Sequence, residues 1–353
     1  MSRKTIAVLF GGQSSEHEIS CISASNIISL IDEERYEVIP VGITKEGHWI
    51  LADSAESIRD DSWRDSRRAA ILSPDATEKC LIIQEKSDYT KVRIDLVFPV
   101  LHGLFGEDGT VQGLCALAGI PYVGCGVASS AVGMDKGLAK MIVSTLGVDQ
   151  ADYLLFTRED LDDMVSVVSR IESRLAYPVF VKPCNAGSSC GITKVHNRDE
   201  LAVAFREAAR YDRRFLVEET ITGHEIETAV LGGGETPVRV SGVGEILSAA
   251  DFYDYDAKYY NPQSRTVVDP LLPGDSADRV RKAAEKIFRA LDCYGMSRVD
   301  FFVTNEGRVV FNEINTIPGF TAISMYPMLW EARGMSKKEL VQELIDLAEE
   351  RRR

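Results

Sequence analysis

The chain opens on a β-branched and apolar run, Thr5 to Phe10, that stops at Gly11-Gly12 and gives way to a helical pattern from about Glu18 to Ile31. Strand, glycine turn and helix in that order begin a doubly wound α/β unit. A strand is expected over Tyr36–Ile43; a charged stretch follows (Asp53 to Arg68), then a buried run (Ile94 to Leu101), a helix (Gly109 to Ala118) and a short run, Pro121 to Gly124, that completes the sheet. Beyond it the periodicity predicts a helix over Met134–Leu146, a strand over Tyr153–Phe156, a helix over Leu161–Leu175 and a strand over Val179–Pro183. After the Gly- and Ser-rich stretch Asn185 to Gly191 come a strand, a helix over Arg198–Tyr211 and a strand over Phe215–Glu219. The remainder holds the apolar run ending at Leu231, an aromatic and polar segment (Phe252 to Tyr260), a helix over Ala277–Leu291 and an amphipathic helix over Lys337–Arg352.

Two further apolar runs, Met296 to Thr304 and Arg308 to Ile314, flank Asn305-Glu306-Gly307 and predict a β-hairpin. With Glu306-Gly307 as the loop, Asn305 pairs with Arg308, and counting outward sets Asp300 opposite Glu313 and Arg298 opposite Asn315. Carboxylates placed opposite one another repel, so something must offset the repulsion. Asp300, Glu313 and Asn315 are the oxygen ligands that Mg²⁺ takes when it is shared with substrate phosphates. The alternative, a surface ladder in which Arg298 alone neutralises Asp300, accords less well with the segment that follows, Thr316 to Thr321, which reads as an ordered loop leaving a site.

Composition narrows the classes. At 353 residues, 45% apolar and 27% charged, the chain has room for two or three domains, and its net charge of −14 argues against a nucleic-acid or acidic-membrane partner. The seven cysteines form no Cys-x-x-Cys pair, the usage of a reduced compartment. No run of 18 apolar residues and no signal-peptide core is present, so the expectation is a soluble, cytoplasmic protein.

Several short elements carry candidate chemistry. The loop from Gly11 to Glu16 lacks the spacing of a dinucleotide fingerprint, which disfavours a nicotinamide dehydrogenase. Glu16 and Glu18 read equally as acids favourable in a first helical turn and as partners for a substrate amine. Lys182 and the loop after it have the makings of a phosphate grip, though not a Walker loop; a flexible hairpin is the other reading. Glu218, Glu219 and Glu225 are acceptors suited to a ribose or an adenine amine. Lys136 heads a helix against its dipole, which points to function rather than stability. His102 follows a buried strand, where open α/β sheets bind ligands; it equally serves to cap a local turn.

Together these residues resemble the D-alanine:D-alanine ligases of the ATP-grasp superfamily. The likeness rests on Gly11-Gly12-Gln13-Ser14-Ser15-Glu16-His17-Glu18, Leu101-His102-Gly103 with Gly106-Glu107-Asp108-Gly109-Thr110, and Met134-Asp135-Lys136. It continues through Lys182-Pro183 with Gly187-Ser188-Ser189, Phe252-Tyr253-Asp254-Tyr255 with Lys258-Tyr259, Arg298-Val299-Asp300, and Asn312-Glu313-Ile314-Asn315-Thr316 with Pro318-Gly319-Phe320-Thr321. The resemblance implies an ATP-grasp fold in three parts: an N-terminal Rossmann-like α/β substrate-binding domain (1–133), a central ATP-grasp subdomain (134–219) and a C-terminal one with the metal and catalytic residues (220–353). It also implies a reaction. ATP phosphorylates the carboxylate of one D-alanine, and the amine of a second attacks the acyl phosphate.

By the same resemblance, Glu16, Ser188, Tyr259, Arg298 and Gly319 would be catalytic: Glu16 on the first ammonium, Ser188 and Tyr259 linking it to a mobile lid, and Arg298 with the Gly319 amide as oxyanion hole. His102, Lys258, Ser324 and Met325 would bind the amino acids, with apolar Met325 favouring a methyl over a hydroxyl. Lys136, Lys182, Ser189, Glu218, Glu219, Ile221, Glu225, Lys258 and Asn312 would bind ATP, and Asp300, Glu313 and Asn315 two Mg²⁺ ions, with Mn²⁺ as a substitute. A homodimer formed through the N-terminal domain is implied as well. The runner-up within this chemistry is a D-alanine:D-serine or related amino-acid ligase; from another class, a nucleotide-binding regulator would not need the metal hairpin and the oxyanion arginine together.

Overall fold

The computed structural model describes residues 3–247 and 265–351; the segment Phe252 to Tyr260, with Lys258 and Tyr259, lies outside the described residues. The opening apolar run becomes β1 (Lys4–Gly11), whose last six residues are all buried, and α1 (His17–Leu30) follows. The chain continues through β2 (Tyr36–Ile43), β3 (Trp49–Leu51), α2 (Ala55–Arg59), β4 (Ala69–Leu72), β5 (Cys80–Glu85), β6 (Asp88–Arg93) and β7 (Leu96–Pro99). These strands form a seven-stranded sheet in the order β6-β5-β4-β3-β2-β1-β7.

Only the centre of that sheet is doubly wound in character. β2 and β7 flank β1 in parallel, whereas β2 to β6 run as an antiparallel meander. The pattern of the charged stretch concealed this, because β3 and β4 are very short and β6 is almost wholly exposed, with Lys91 and Arg93 along a free edge. The run expected to complete the sheet supplies one bridge, Val97 to Tyr122, before Gly124 at φ +96° turns the chain away.

α3 (Thr110–Ala118), α4 (Val127–Met134) and α5 (Lys136–Val143) lead on. The single helix expected over 134–146 is broken at its start: Asp135 is extended and caps α5 by accepting from the Leu138 amide at 2.9 Å, leaving Lys136 first in the helix. Next come β8 (Tyr153–Thr157), α6 (Met164–Glu172), β9 (Val179–Pro183), β10 (Thr193–Val195), α7 (Arg198–Tyr211) and β11 (Arg214–Glu219). Their sheet, β10-β9-β11-β8, is antiparallel throughout. α7 turns Leu201, Ala204, Phe205 and Ala208 inward, one apolar stripe at helical spacing, and Phe205 packs on Phe156 and Phe215.

The third sheet is also antiparallel. Its strands are β12 (His224–Gly233), β13 (Thr236–Leu247), β14 (Arg265–Val268), β15 (Gly295–Val303) and β16 (Val309–Asn315), ordered β14-β13-β12-β15-β16, with α8 (Ser276–Ala290) between β14 and β15 in the chain. α9 (Met325–Glu331) and α10 (Lys337–Glu350) close the chain. Leu340, Leu344 and Leu347 of α10 share one core with Ile6 and Val8 of β1 and Leu231 and Met296 of the third sheet, which joins the first and last sheets.

The hairpin register is as counted, for a different reason. Thr304 rather than Asn305 pairs with Arg308, so the loop has three residues, with Gly307 at φ +84°. That shifts Val303 onto Val309 and Phe301 onto Phe311, and an irregularity at Asn312 then restores Asp300 opposite Glu313 and Arg298 opposite Asn315. The two one-residue departures cancel.

Close packing fixes Gly42 of β2, where a Cβ would overlap the ring of buried Trp63, itself edge-on to Phe10 at 5.0 Å. Gly42→Ala is expected to cost about 1–3 kcal/mol as an overpacking change. Denaturant unfolding reads it, and an unshifted midpoint would mean that the indole yields freely.

Candidate active site

A cavity of about 370 Å³ lies between the second and third sheets. α5 contributes Lys136 and Lys140, β9 contributes Lys182, and the loop after β9 contributes Ser188 and Ser189. The end of β11 and the segment after it bring Glu218, Glu219 and Ile221, followed by Glu225 of β12. Arg298 and Asp300 of β15 and Asn312 and Glu313 of β16 complete the wall. A smaller cavity of about 40 Å³ adjoins it, sharing Lys136, Ser188 and Glu313 and adding Glu16, Glu107, Gly187 and Asn315.

The basic and acidic groups are paired with one another. The Lys136 ammonium donates to the Ala186 carbonyl at 2.8 Å and meets Glu313 at 3.2 Å. Burial alone would lower its pKa, but the Glu313 charge more than offsets that and holds it above the ordinary lysine value. Glu218 is buried with one oxygen on Lys182 and the other 3.1 Å from Lys140. Burial would raise this carboxyl; the two ammonium groups bring it instead to about 2. Glu218 was expected on the nucleotide, and its oxygens serve first as the counter-charge to two lysines.

Arg298 is buried, donating through Nε to Asp300 Oδ1 at 2.8 Å and through Nη2 to Asp300 Oδ2 at 2.7 Å, with Glu227 at 3.1 Å. These carboxylates outweigh its burial and hold it well above the usual guanidinium range. Asn315 Nδ2 donates to the same Asp300 at 2.9 Å. The neutralising arginine is therefore present, inside the protein rather than on a surface ladder. Two carboxylates and a carboxamide, brought together on paired strands beside a lysine-lined cavity, fit a hard divalent cation.

The loop around Ser188 is shaped by what faces it. Ser188 and Ser189 hold φ of +49° and +58°, and the Ser188 hydroxyl is buried with no hydrogen-bond partner among the described residues. Gly187 lets the loop approach Glu16 closely, since a Cβ there would stand 2.6 Å from Glu16 Oε2 and displace that carboxylate. Glu16 is itself buried at the N-cap of α1.

Four expected residues line neither cavity. His102 is buried, its Nδ1–H donating to the Ile317 carbonyl at 2.9 Å. Ser324 occupies the N-cap position of α9, its Oγ accepting from the preceding Thr321 amide at 2.9 Å, and Gly319 lies against that oxygen. Met325 lies buried in the core against Gly244. Lys258 and Tyr259 lie outside the described residues.

The sequence carries the marks of one family from end to end. A family model described as D-ala D-ala ligase N-terminus matches residues 5–125, and one described as D-ala D-ala ligase C-terminus matches residues 142–346. The chain belongs to the D-alanine–D-alanine ligase family. Its fold is accordingly the ATP-grasp fold preceded by an N-terminal Rossmann-like α/β domain. It is 49% identical to the D-alanine–D-alanine ligase of Acetivibrio thermocellus, covering 99% of this chain and 96% of that one, and 47% identical to that of Caldicellulosiruptor bescii, covering 100% and 97%. Among solved structures, the VanG D-Ala:D-Ser ligase from Enterococcus faecalis superposes with a TM-score of 0.89 at 40% identity, covering 98% of this chain and 100% of that one. The D-alanine-D-alanine ligase from Coxiella burnetii gives 0.85 at 36% identity, covering 99% and 94%.

Sequence reasoning about this ligase-family chain passed over three groups that the structure sets at the site: Lys140, Glu227 and Glu107. Glu107 is the most perturbed of them. Burial first and the charge of Glu16 second push its carboxyl up to about 7, despite hydrogen bonds from the Gly103 and Ile317 amides at 2.9 Å each. It stands in a motif already singled out, Gly106-Glu107-Asp108-Gly109, but nothing local says that its partner is 210 residues away.

The Glu218 bridge makes a prediction of definite sign. A carboxyl held at about 2 when folded and near 4.3 when unfolded stabilises the fold fully above about pH 4.3, and that stabilisation is lost as the pH falls towards 2. Glu218→Gln strands two lysines, so it should cost about 3–5 kcal/mol at neutral pH. The gap to the native protein should close on acidification, and a gap independent of pH would contradict the assignment.

Proposed function

We propose that this chain is the ATP-dependent ligase that joins two D-alanine molecules into D-alanyl-D-alanine for peptidoglycan precursor synthesis. The observation that carries the reading is that a cavity of nucleotide size with lysines and paired carboxylates opens, through the shared Lys136, Ser188 and Glu313, onto a small cavity with a buried carboxylate for an ammonium.

ATP would lie in the larger cavity with Lys136, Lys182 and Ser189 on its phosphates, Glu219, Ile221 and Glu225 toward the ribose and adenine, Asn312 beside it, and Glu218 acting through the two lysines it holds. Glu16 would take the ammonium of the first D-alanine, with His102 behind it. The carboxylate attacks the γ-phosphorus, the bond to ADP breaks, and an acyl phosphate results. The neutral amine of the second D-alanine, whose carboxylate is assigned to Ser324 and Lys258, attacks the acyl carbon. Arg298 and the Gly319 amide would stabilise the oxyanion; collapse of the tetrahedral intermediate breaks the bond to phosphate, which leaves with the proton shed by the attacking nitrogen, and the peptide bond remains. The two carboxylates that lock the Arg298 guanidinium support this role, since a donor held in place needs little reorganisation when charge develops.

Asp300, Glu313 and Asn315 would hold two Mg²⁺ ions, for which Mn²⁺ can substitute, and these supply charge neutralisation on the transferring phosphoryl group. Ser188, whose buried hydroxyl has no hydrogen-bond partner among the described residues, would reach Tyr259 on a lid that keeps water from the acyl phosphate. We assign the same reading a division at 133/134 and 219/220, a homodimer through the N-terminal domain and a cytoplasmic location. In keeping with the last, no helix among the described residues is long and apolar enough to cross a membrane, and all seven cysteines are free.

A D-serine acceptor is the second reading. It is favoured by the 40% identity to a D-Ala:D-Ser ligase.

Phosphate release from ATP and Mg²⁺, with D-alanine alone and with D-serine, D-lactate or L-alanine beside it, should give D-alanyl-D-alanine by mass as the main product. A predominantly mixed dipeptide would establish the second reading, and no release with any pair would overturn both. Glu313→Gln should lower kcat by about two orders of magnitude while the protein stays folded; unimpaired turnover would remove the metal assignment.

A further inference from the structure

The segment that leaves β16 carries Gly319 in Pro318-Gly319, and the residues on either side are held by groups from the other end of the chain. The Ile317 amide donates to Glu107 Oε1 at 2.9 Å, and the Ile317 carbonyl accepts from His102 Nδ1 at 2.9 Å. The Phe320 amide donates to Ser23 Oγ at 3.1 Å, and the Phe320 carbonyl accepts from Asn26 Nδ2 at 3.2 Å. Both backbone groups of both residues are thus engaged. Ser23 and Asn26 belong to α1, and His102 and Glu107 to the loop between β7 and α3.

The bonds form a closed circuit. A carbonyl only accepts, so His102 carries a proton on Nδ1. Its Nε2 lies 3.4 Å from Ser23 Oγ, the atom that accepts from the Phe320 amide. The relay therefore runs from Phe320 through Ser23 and His102 back to Ile317. Glu107 reinforces it, because its second oxygen takes the Gly103 amide at 2.9 Å and so ties its own loop to the one it grips. All four residues of the circuit are buried, as Glu107 is, which removes competing water.

We propose that Glu107 is a positioning residue for the ligation step: by gripping Ile317, in concert with Ser23 on Phe320, it sets where the Gly319 amide points. The inference rests on the ligase reading above and adds to it a residue that touches no reacting atom. An oxyanion donor is effective only when it is already in place, and a displacement of about 1 Å can cost about 100-fold.

The test is the full-length protein carrying Glu107→Ala, Glu107→Gln, Ser23→Ala, or Glu107→Ala with Ser23→Ala, assayed for dipeptide formation with the amino-acid pair that the native protein joins best. Glu107→Ala should lower kcat by about 100-fold and leave the KM for ATP within about threefold, since the nucleotide cavity is untouched. Glu107→Gln keeps one acceptor oxygen and should recover roughly a tenth to a third of native turnover, while Ser23→Ala should cost about 10-fold. The double variant should be no worse than about twofold beyond Glu107→Ala, because both changes release one loop. Unchanged kcat in a folded Glu107→Ala protein, a matching rise in the KM for ATP, or losses that simply multiply would each overturn the proposal. If Glu107→Ala does not fold, Glu107→Gln and Ser23→Ala decide it by the same split between kcat and KM. A native protein that forms no dipeptide would overturn the ligase reading and this proposal with it, whereas an active native protein with an equally active Glu107→Ala variant would overturn this proposal alone.

Discussion

A buried cation needs a counter-charge, and the site is organised around that requirement. Taking an ammonium or guanidinium out of water costs several kcal/mol, and only a close carboxylate with good geometry offsets it. Lys136, Lys140, Lys182 and Arg298 are brought together where nucleotide phosphates would lie, and each has its carboxylate: Glu313, Glu218 for both inner lysines, and Asp300 with Glu227. Two of these pairs start from α5, Lys136 to Glu313 of β16 and Lys140 to Glu218 of β11, so through that helix charge balance also ties the second sheet to the third. The arrangement serves phosphate chemistry because the cations are already fixed. Anions that enter trade places with carboxylates instead of ordering flexible side chains, which is where electrostatic catalysis gains most.

The hairpin shows what a sequence can and cannot convey about such a site. Apolar alternation and a glycine turn revealed its two strands, and parity alone set Asp300 and Glu313 on one face. The inferred pairing of Asp300 with Glu313 was right although the loop was one residue longer than counted, because the irregularity at Asn312 restored the offset. Local pattern reports faces well and registers poorly. The N-terminal sheet failed for a related reason: β3, β4 and β6 are short or exposed, and strands that bury little carry little alternation to read. Charged residues at strand ends were legible as candidates, and most of them meet at one cavity. Lys140, Glu227 and Glu107 were not, since what makes them matter is a partner set by tertiary packing.

Met325 shows a demand that a local reading leaves out. An apolar residue following Ser324 suggested a substrate-facing methyl pocket, yet it is the residue that fills the space above Gly244. Large apolar side chains belong first to cores, and a position beside a polar site residue does not exempt one from that demand. The family resemblance gave the neighbourhood of the site, while the direction in which one side chain points had to come from the packing of α9 on β12 and β13.

The grip on Ile317 and Phe320 fastens a loop near one end of the chain to a helix at the other. Glu16 caps α1, and Ser23 stands seven residues on, about two turns along the same face. A helix of that length is rigid, so the group proposed for the first ammonium and the anchor for the loop bearing Gly319 are held on a single body. Reacting atoms in an acyl transfer must be set to within a fraction of an ångström of both the nucleophile and the oxyanion donors. Had the loop been held only by its own sheet, any relative movement of the domains would change the distance from the ammonium to the oxyanion hole. With α1 and the Glu107 loop supplying both contacts, such a movement must carry the loop along or break four backbone hydrogen bonds. The same four contacts therefore fix the distance from Glu16 on α1 to the loop bearing Gly319.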